Sequence, residues 1–158
     1  MAGGVSSRFW PFCRTDRPKQ FLDLLGIGRS LLQSTYDRFA SVVPKDHIFI
    51  STHEQYVNWV MEQLPDVPRE RILAEEQRRN TAPCVAWAAY HIRSIDPNAT
   101  MIVTPADHLV LQEELFRKAV LKGMDFVDET PSLLTLGVKP TRAETEYGYI
   151  QVEGVSKG

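Results

Sequence analysis

No stretch of this 158-residue chain comes near the roughly 18 consecutive apolar residues that a membrane-spanning helix requires, so no membrane contact is expected. Cysteine is nearly missing as well. Cys13 and Cys84 stand alone, too far apart in sequence for a recognisable zinc or redox motif, and they supply no disulfide framework. With no secretory leader either, a reducing, cytoplasmic compartment is the expectation. An excess of charge of either sign is also missing. A formal net charge of -2 argues against broad electrostatic binding to nucleic acid or to an anionic surface, so any anionic ligand must be caught by a local site. Repeats and low-complexity tracts are absent. The four histidines, His47, His53, His91 and His108, show no metal-ligand spacing, and no Ser-His-Asp arrangement is legible.

What is present is ordinary in bulk and specific in detail. Apolar residues make up 43% and charged residues 24%, and the length suffices to bury a core without disulfides or metals. One domain, or a large piece of one, is expected. Residues 1–17 hold adjacent glycines, serines, arginines and a proline, which reads as a loop. Gln20 to Leu25 is a short apolar stretch closed by Gly26-Ile27-Gly28. Ser30 and Gln33 have capping-box spacing before an apolar face at Leu32, Tyr36 and Phe39, and Pro44 ends that helix. Thr52 and Gln55 repeat the spacing before Tyr56, Val57, Val60, Met61 and Leu64. Further helices are expected over Thr81 to Ile95 and Glu113 to Val127. Strands are expected at His47 to Ser51, Arg71 to Ala74, Thr100 to Thr104, Leu133 to Gly137 and Tyr147 to Val152. Short strands alternating with amphipathic helices define an α/β fold around a mostly parallel sheet, with ligands at the carboxyl ends of strands.

Four features could carry chemistry. Gly3 and Gly4 allow backbone amides to approach a ligand closely, although the segment fits neither the Walker loop nor the dinucleotide fingerprint; otherwise it is a simple turn. Arg8, Arg14, Arg17 and Lys19 cluster just downstream, where arginine can grip phosphate oxygens bidentately and lysine offers a compact charge; a solvated surface gives the same composition. Asp107 follows a strand and Pro105-Ala106. It either caps a turn or offers the carboxylate through which magnesium joins substrate phosphates. Arg78-Arg79-Asn80-Thr81-Ala82-Pro83 opens a helix, where free amides favour anions, and where Asn80 or Thr81 can equally be a plain cap.

In order and spacing, Ala2-Gly3-Gly4-Val5-Ser6-Ser7-Arg8-Phe9-Trp10-Pro11 with Arg14 and Arg17-Pro18-Lys19-Gln20-Phe21 resembles the signature of the sugar-nucleotide pyrophosphorylases. The blocks Arg79-Asn80-Thr81-Ala82-Pro83, Pro105-Ala106-Asp107-His108, Lys139-Pro140-Thr141 and Tyr147-Gly148-Tyr149-Ile150 extend the resemblance over nearly the whole chain. It is narrowest toward members that act on mannose 1-phosphate. The resemblance implies a Rossmann-like nucleotide-diphosphosugar transferase fold, with residues 1–158 forming part of a single catalytic domain. It implies GMP transfer from GTP to mannose 1-phosphate, giving GDP-mannose and pyrophosphate, with Mg²⁺ as cofactor. By matching positions, Gly3 and Gly4 would lie against the nucleoside, and Arg8 and Lys19 against the phosphates. Asp107 would hold the metal, Asn80 and Thr81 would help read the base, and Gly148 and Tyr149 would face the sugar.

The chain departs from that pattern at four positions. Ser6, Arg78 and Glu146 stand where relatives often have glycine, and Glu76 where they often have proline. Relatives also have an apolar strand before the glycine loop and continue beyond the counterpart of Gly158, so the expectation is a piece of a longer catalytic domain, with little activity alone. A truncated sheet would favour self-association through its edges. The competing readings are a nucleotidyltransferase for another hexose 1-phosphate and a non-catalytic regulatory or nucleotide-sugar-binding relative.

Overall fold

The computed structural model describes residues 1–3, 18–77, 79–145 and 147–151. Two strands, β1 (Ile50–His53) and β2 (Ile72–Glu75), pair in parallel, with Ile50 opposite Ile72 and His53 opposite Glu75. Parallel strands need a crossover, and α2 (Val57–Gln63) supplies it. The sheet continues on the other side of β1. The Ala2 amide donates to the Ser51 carbonyl (2.7 Å), the Met1 nitrogen to the Thr104 carbonyl (2.8 Å), and the Ala106 amide to the Met1 carbonyl (2.8 Å). Four extended segments therefore run side by side, in the order 104–106, 1–2, β1, β2.

Helix α1 (Leu31–Ala40) begins with the predicted capping box. The Ser30 hydroxyl accepts from the Gln33 amide (3.2 Å), and the Gln33 side chain accepts from the Ser30 amide (3.0 Å). Its buried face carries Leu32 and Tyr36 against the sheet. Val57, Val60 and Leu64 recur at helical spacing and meet Ile50, Ile72 and Phe21 in one core, where Val60 is fully buried. Phe21 closes this core with its ring 5.7 Å from Tyr56 and 6.0 Å from Trp59. Just after Phe21, the turn expected at Gly26-Ile27-Gly28 forms. Gly26 and Gly28 take φ of +67° and +77°, and the Asp23 carboxylate accepts from the Ile27 (3.1 Å) and Gly28 (2.7 Å) amides.

Helix α3 spans Thr81–Ile95, as the sequence predicts, with Pro83 in its first turn. Helix α4 spans Glu113–Glu129 and packs through fewer residues than its amphipathic pattern predicts: Val120 is its only fully buried residue. Phe116 meets Phe39 edge-on at 6.0 Å, and the buried Arg38 lies over the Phe116 ring while pairing with Glu113 at 3.2 Å.

Several expectations are corrected. The first strand begins at Ile50 rather than His47, because Pro44 leads into a 3-10 turn over Lys45–His47. Thr52 does not cap the following helix. It lies within β1, and the His53 ring takes the capping place, accepting from the Gln55 amide at 3.2 Å. Thr100 to Thr104 joins the sheet only at its end, through Thr104, and forms no regular strand. Neither Leu133 to Gly137 nor the described residues from Tyr147 form a strand. Leu133 is fully exposed, and among the described residues this β-prone run has no partner strand. Among the described residues, no helix is long and apolar enough to cross a membrane.

Candidate active site

The carboxyl ends of the extended segments meet the start of α3 around a cavity of about 350 Å³. Its wall brings together residues far apart in sequence: Gly3, Thr52, Glu75, Asn80, Thr81 and Asp107. Each arrives for a local reason. Gly3 follows the sheet-bound Ala2, and Asp107 follows Ala106, whose amide is tied to Met1. Glu75 ends β2, and Asn80 immediately precedes α3.

Lys19 sits in a 3-10 turn over Lys19–Phe21, anchored by the buried Phe21 and Gln20. Its ammonium forms an ion pair with the Asp107 carboxylate, and both side chains are about one-quarter exposed (27% and 24%), so neither is sealed in the core. The pair thus places a positive and a negative group together at the cavity that Asp107 lines.

Asn80 has φ of 66° and ψ of -169°, a region that non-glycine residues rarely occupy. Its side chain makes no capping hydrogen bond to α3. The first amides of this 15-residue helix consequently lack a side-chain cap where they border the cavity, an arrangement that favours anions or hydrogen-bond acceptors. The plain-cap reading of Asn80 is therefore not realised.

In the same wall, the buried Ser51 hydroxyl and Cys84 sulfur lie 2.9 Å apart. Burial pushes the Cys84 thiol above its ordinary pKa, and the Ser51 hydrogen bond only partly offsets this. The thiol is therefore a neutral core group at physiological pH, as expected for a helix-core cysteine.

Of the sequence-predicted site residues, Gly3, Lys19, Asn80, Thr81 and Asp107 converge on this region. Gly4 and Arg8 lie outside the described residues, as do Ser6, Arg14 and Arg17. Gly148 and Tyr149 do not line the cavity. Tyr149 is exposed, and its hydroxyl donates to the Glu144 carbonyl at 3.0 Å and accepts from the Glu144 amide at 2.8 Å. Gln20 and Thr52 also line the cavity, and neither is among the site residues expected from the sequence. Gln20 lies inside the Lys19-Gln20-Phe21 string, and a polar residue directly preceding a core aromatic was the available signal. Thr52 carried only a helix-cap signal.

The donor set fits a divalent cation held jointly by protein and substrate. Asp107 offers an accessible carboxylate and Glu75 lines the same cavity, while no group of three or more His, Cys, Asp or Glu side chains placed to hold a metal occurs among the described residues. Magnesium commonly takes one or two carboxylates together with substrate phosphates.

Gly3, the start of α3 and the Lys19–Asp107 pair thus gather at the carboxyl edge of a parallel sheet, the place where α/β folds bind ligands. The chain belongs to the nucleotidyl transferase family, whose model matches residues 1–157. Members of that family generally use a divalent metal. The chain is 42% identical over 153 residues to a mannose-1-phosphate guanylyltransferase of Salmonella montevideo, covering 96% of this chain and 31% of that protein. It is 40% identical over 162 residues to the Escherichia coli K12 protein of the same name, covering 100% and 33%. A crystal structure described as mannose-1-phosphate geranyltransferase from Thermus thermophilus superposes with a TM-score of 0.70 at 32% identity, over 82% of this chain and 37% of that one. The chain spans about a third of the length of the curated relatives it matches.

Proposed function

We propose that the whole protein transfers GMP from GTP to mannose 1-phosphate, releasing pyrophosphate. The observation that carries this reading is the Lys19–Asp107 pair, set beside a cavity that Gly3 and the uncapped start of α3 also border. Positive charge, a metal-binding carboxylate and backbone donors are what a triphosphate requires in one place. The names of the guanylyltransferase relatives support the choice of guanine nucleotide and mannose phosphate.

In the proposed reaction, a phosphate oxygen of mannose 1-phosphate attacks the α-phosphorus of GTP. The new P–O bond forms as the α–β phosphoanhydride bond breaks, and pyrophosphate leaves with the electron pair. A phosphate monoester has its second pKa near about 6, so the attacking group is already largely dianionic at neutral pH. No side chain has to remove a proton. The protein's work is to hold the reactants in line and to offset their charge. Lys19 supplies that charge from its anchored turn, and Arg8 joins it from the glycine loop by resemblance. Asp107 would hold Mg²⁺, which neutralises phosphate oxygens when bound. Asn80 and Thr81 face the base, Gly3 and Gly4 lie against the nucleoside, and Gly148 and Tyr149 belong to the sugar side.

The test is a substrate matrix. Pyrophosphate release is measured for GTP, ATP, UTP and dTTP, each with mannose 1-phosphate and glucose 1-phosphate. The proposal predicts the highest kcat/KM for GTP with mannose 1-phosphate. Preference for another pair would reassign the substrate, and no turnover with any pair would reject the transferase reading.

A further inference from the structure

We infer that Gln20 and Thr52 are positioning residues that fix the Ala2–Gly3 peptide so that the Gly3 amide meets the nucleotide. The inference rests on the nucleotidyl-transfer reading above. Its basis is the fate of one carbonyl. Among the described residues, Ala2 is the last of its segment held in the sheet, since its amide pairs with Ser51. Its carbonyl oxygen accepts instead from two side chains, the Gln20 amide at 2.9 Å and the Thr52 hydroxyl at 3.0 Å. A carbonyl oxygen has two lone pairs, and both are thereby used. Gln20 is 2% exposed and Thr52 1%, so neither donation is shared with solvent.

The consequence follows from peptide geometry. In a planar trans peptide the N–H points opposite to the C=O, so pinning the Ala2 carbonyl fixes the direction of the Gly3 N–H. That N–H lies on the far side of the peptide from Gln20 and Thr52. Gly3 itself lines the cavity, and a Cβ added there would meet no heavy atom within 4 Å, so close packing does not fill the space beside this residue. Donors held rigid before the ligand arrives need no reorganisation when it binds. Gln20 has a second effect. It neighbours Lys19 in the same 3-10 turn, so its bond to Ala2 ties the cationic turn to the start of the glycine segment. One buried amide thereby sets the spacing between two parts of the nucleotide site.

The test uses the whole protein carrying Thr52→Val, Thr52→Ser or Gln20→Met. Thr52→Val removes the donor at nearly constant size, and Thr52→Ser restores it. Steady-state kinetics give separate KM values for GTP and mannose 1-phosphate, calorimetry gives the GTP Kd, and melting reports folding. A neutral hydrogen bond of ordinary strength predicts about a three- to tenfold rise in the GTP Kd and KM for Thr52→Val and for Gln20→Met. The mannose 1-phosphate KM should stay unchanged, and Thr52→Ser should return the GTP values to those of the parent. An unchanged GTP Kd in folded Thr52→Val or Gln20→Met overturns the inference. So does an equal rise in both KM values, which would mark general structural damage, or a failure of serine to restore binding. Should Thr52→Val not fold, Gln20→Met decides on the same readouts. A parent protein that binds GTP without turnover refutes the reaction and leaves this inference to the Kd values. A parent that binds no GTP overturns both.

Discussion

The Lys19 ammonium and the Asp107 carboxylate face each other as an ion pair at the edge of the cavity. In the proposed reaction each has a different partner, the lysine a phosphate group and the aspartate a metal ion. The pair is therefore a resting arrangement that substrate binding must open. Lys19→Met and Asp107→Asn should each lower kcat/KM by about a hundredfold or more, the usual scale for losing one group that stabilises developing charge. The two differ in metal response. Without nucleotide, Lys19→Met should bind Mn²⁺ more tightly than the parent, because Asp107 is released, whereas Asp107→Asn should bind it more weakly. Electron paramagnetic resonance of free Mn²⁺ measures both.

Asn80 sits in a backbone region that costs a non-glycine residue about 1–3 kcal/mol. Asn80→Gly should therefore raise stability by about 1 kcal/mol, after allowing for the greater freedom of glycine in the unfolded chain. Nucleotide affinity should fall in the same variant if the asparagine faces the base. Denaturant unfolding and calorimetry on one sample test the exchange.

Much of the scaffold was readable because its signals are local. The Ser30–Gln33 box and the Thr81 to Ile95 span depend on caps and prolines within a few residues, and both formed as expected. Strands depend on partners elsewhere in the chain. Thr52 illustrates this: its spacing to Gln55 is that of a capping box, yet pairing of β1 with β2 runs through His53 and keeps Thr52 in the sheet. Leu133 to Gly137 has a strand's composition but no partner strand among the described residues. At the site, Lys19 and Asp107 were legible by residue type and by resemblance, but their mutual pairing is a tertiary event. Gln20 was hidden because a buried amide looks like any polar residue until its acceptor, the Ala2 carbonyl, is in view.

Ser30 does two jobs. Its hydroxyl accepts from the Gln33 amide and donates to the Gln63 side chain at 2.6 Å, and Gln63 in turn donates to the Phe21 carbonyl at 2.9 Å. Ser30→Ala should cost about 1–2 kcal/mol, the cap and one side-chain bond together. Leu32→Ala, a core deletion on the same helix, should cost about 2–5 kcal/mol. Urea unfolding ranks the two.

Asp23 gives the turn after Phe21 an acid dependence. Desolvation raises its pKa, but the amides of Gly28, Ile27, Gly26 and Leu25 outweigh that and hold it below the ordinary value. A depressed carboxyl contributes stability above its unfolded pKa, near about 4, and loses it as pH falls through the lower folded value. Stability measured between about pH 5 and pH 2 should therefore decline more steeply for the parent than for Asp23→Asn.

Phosphorus NMR of the whole protein with GTP, mannose 1-phosphate and Mg²⁺ decides whether guanylyl transfer occurs, because it identifies every phosphorus product at once. GDP-mannose and pyrophosphate should appear in equal amounts, and Asp107→Ala should produce neither. Formation of GDP and inorganic phosphate instead, or equal product formation by Asp107→Ala, would contradict this reading.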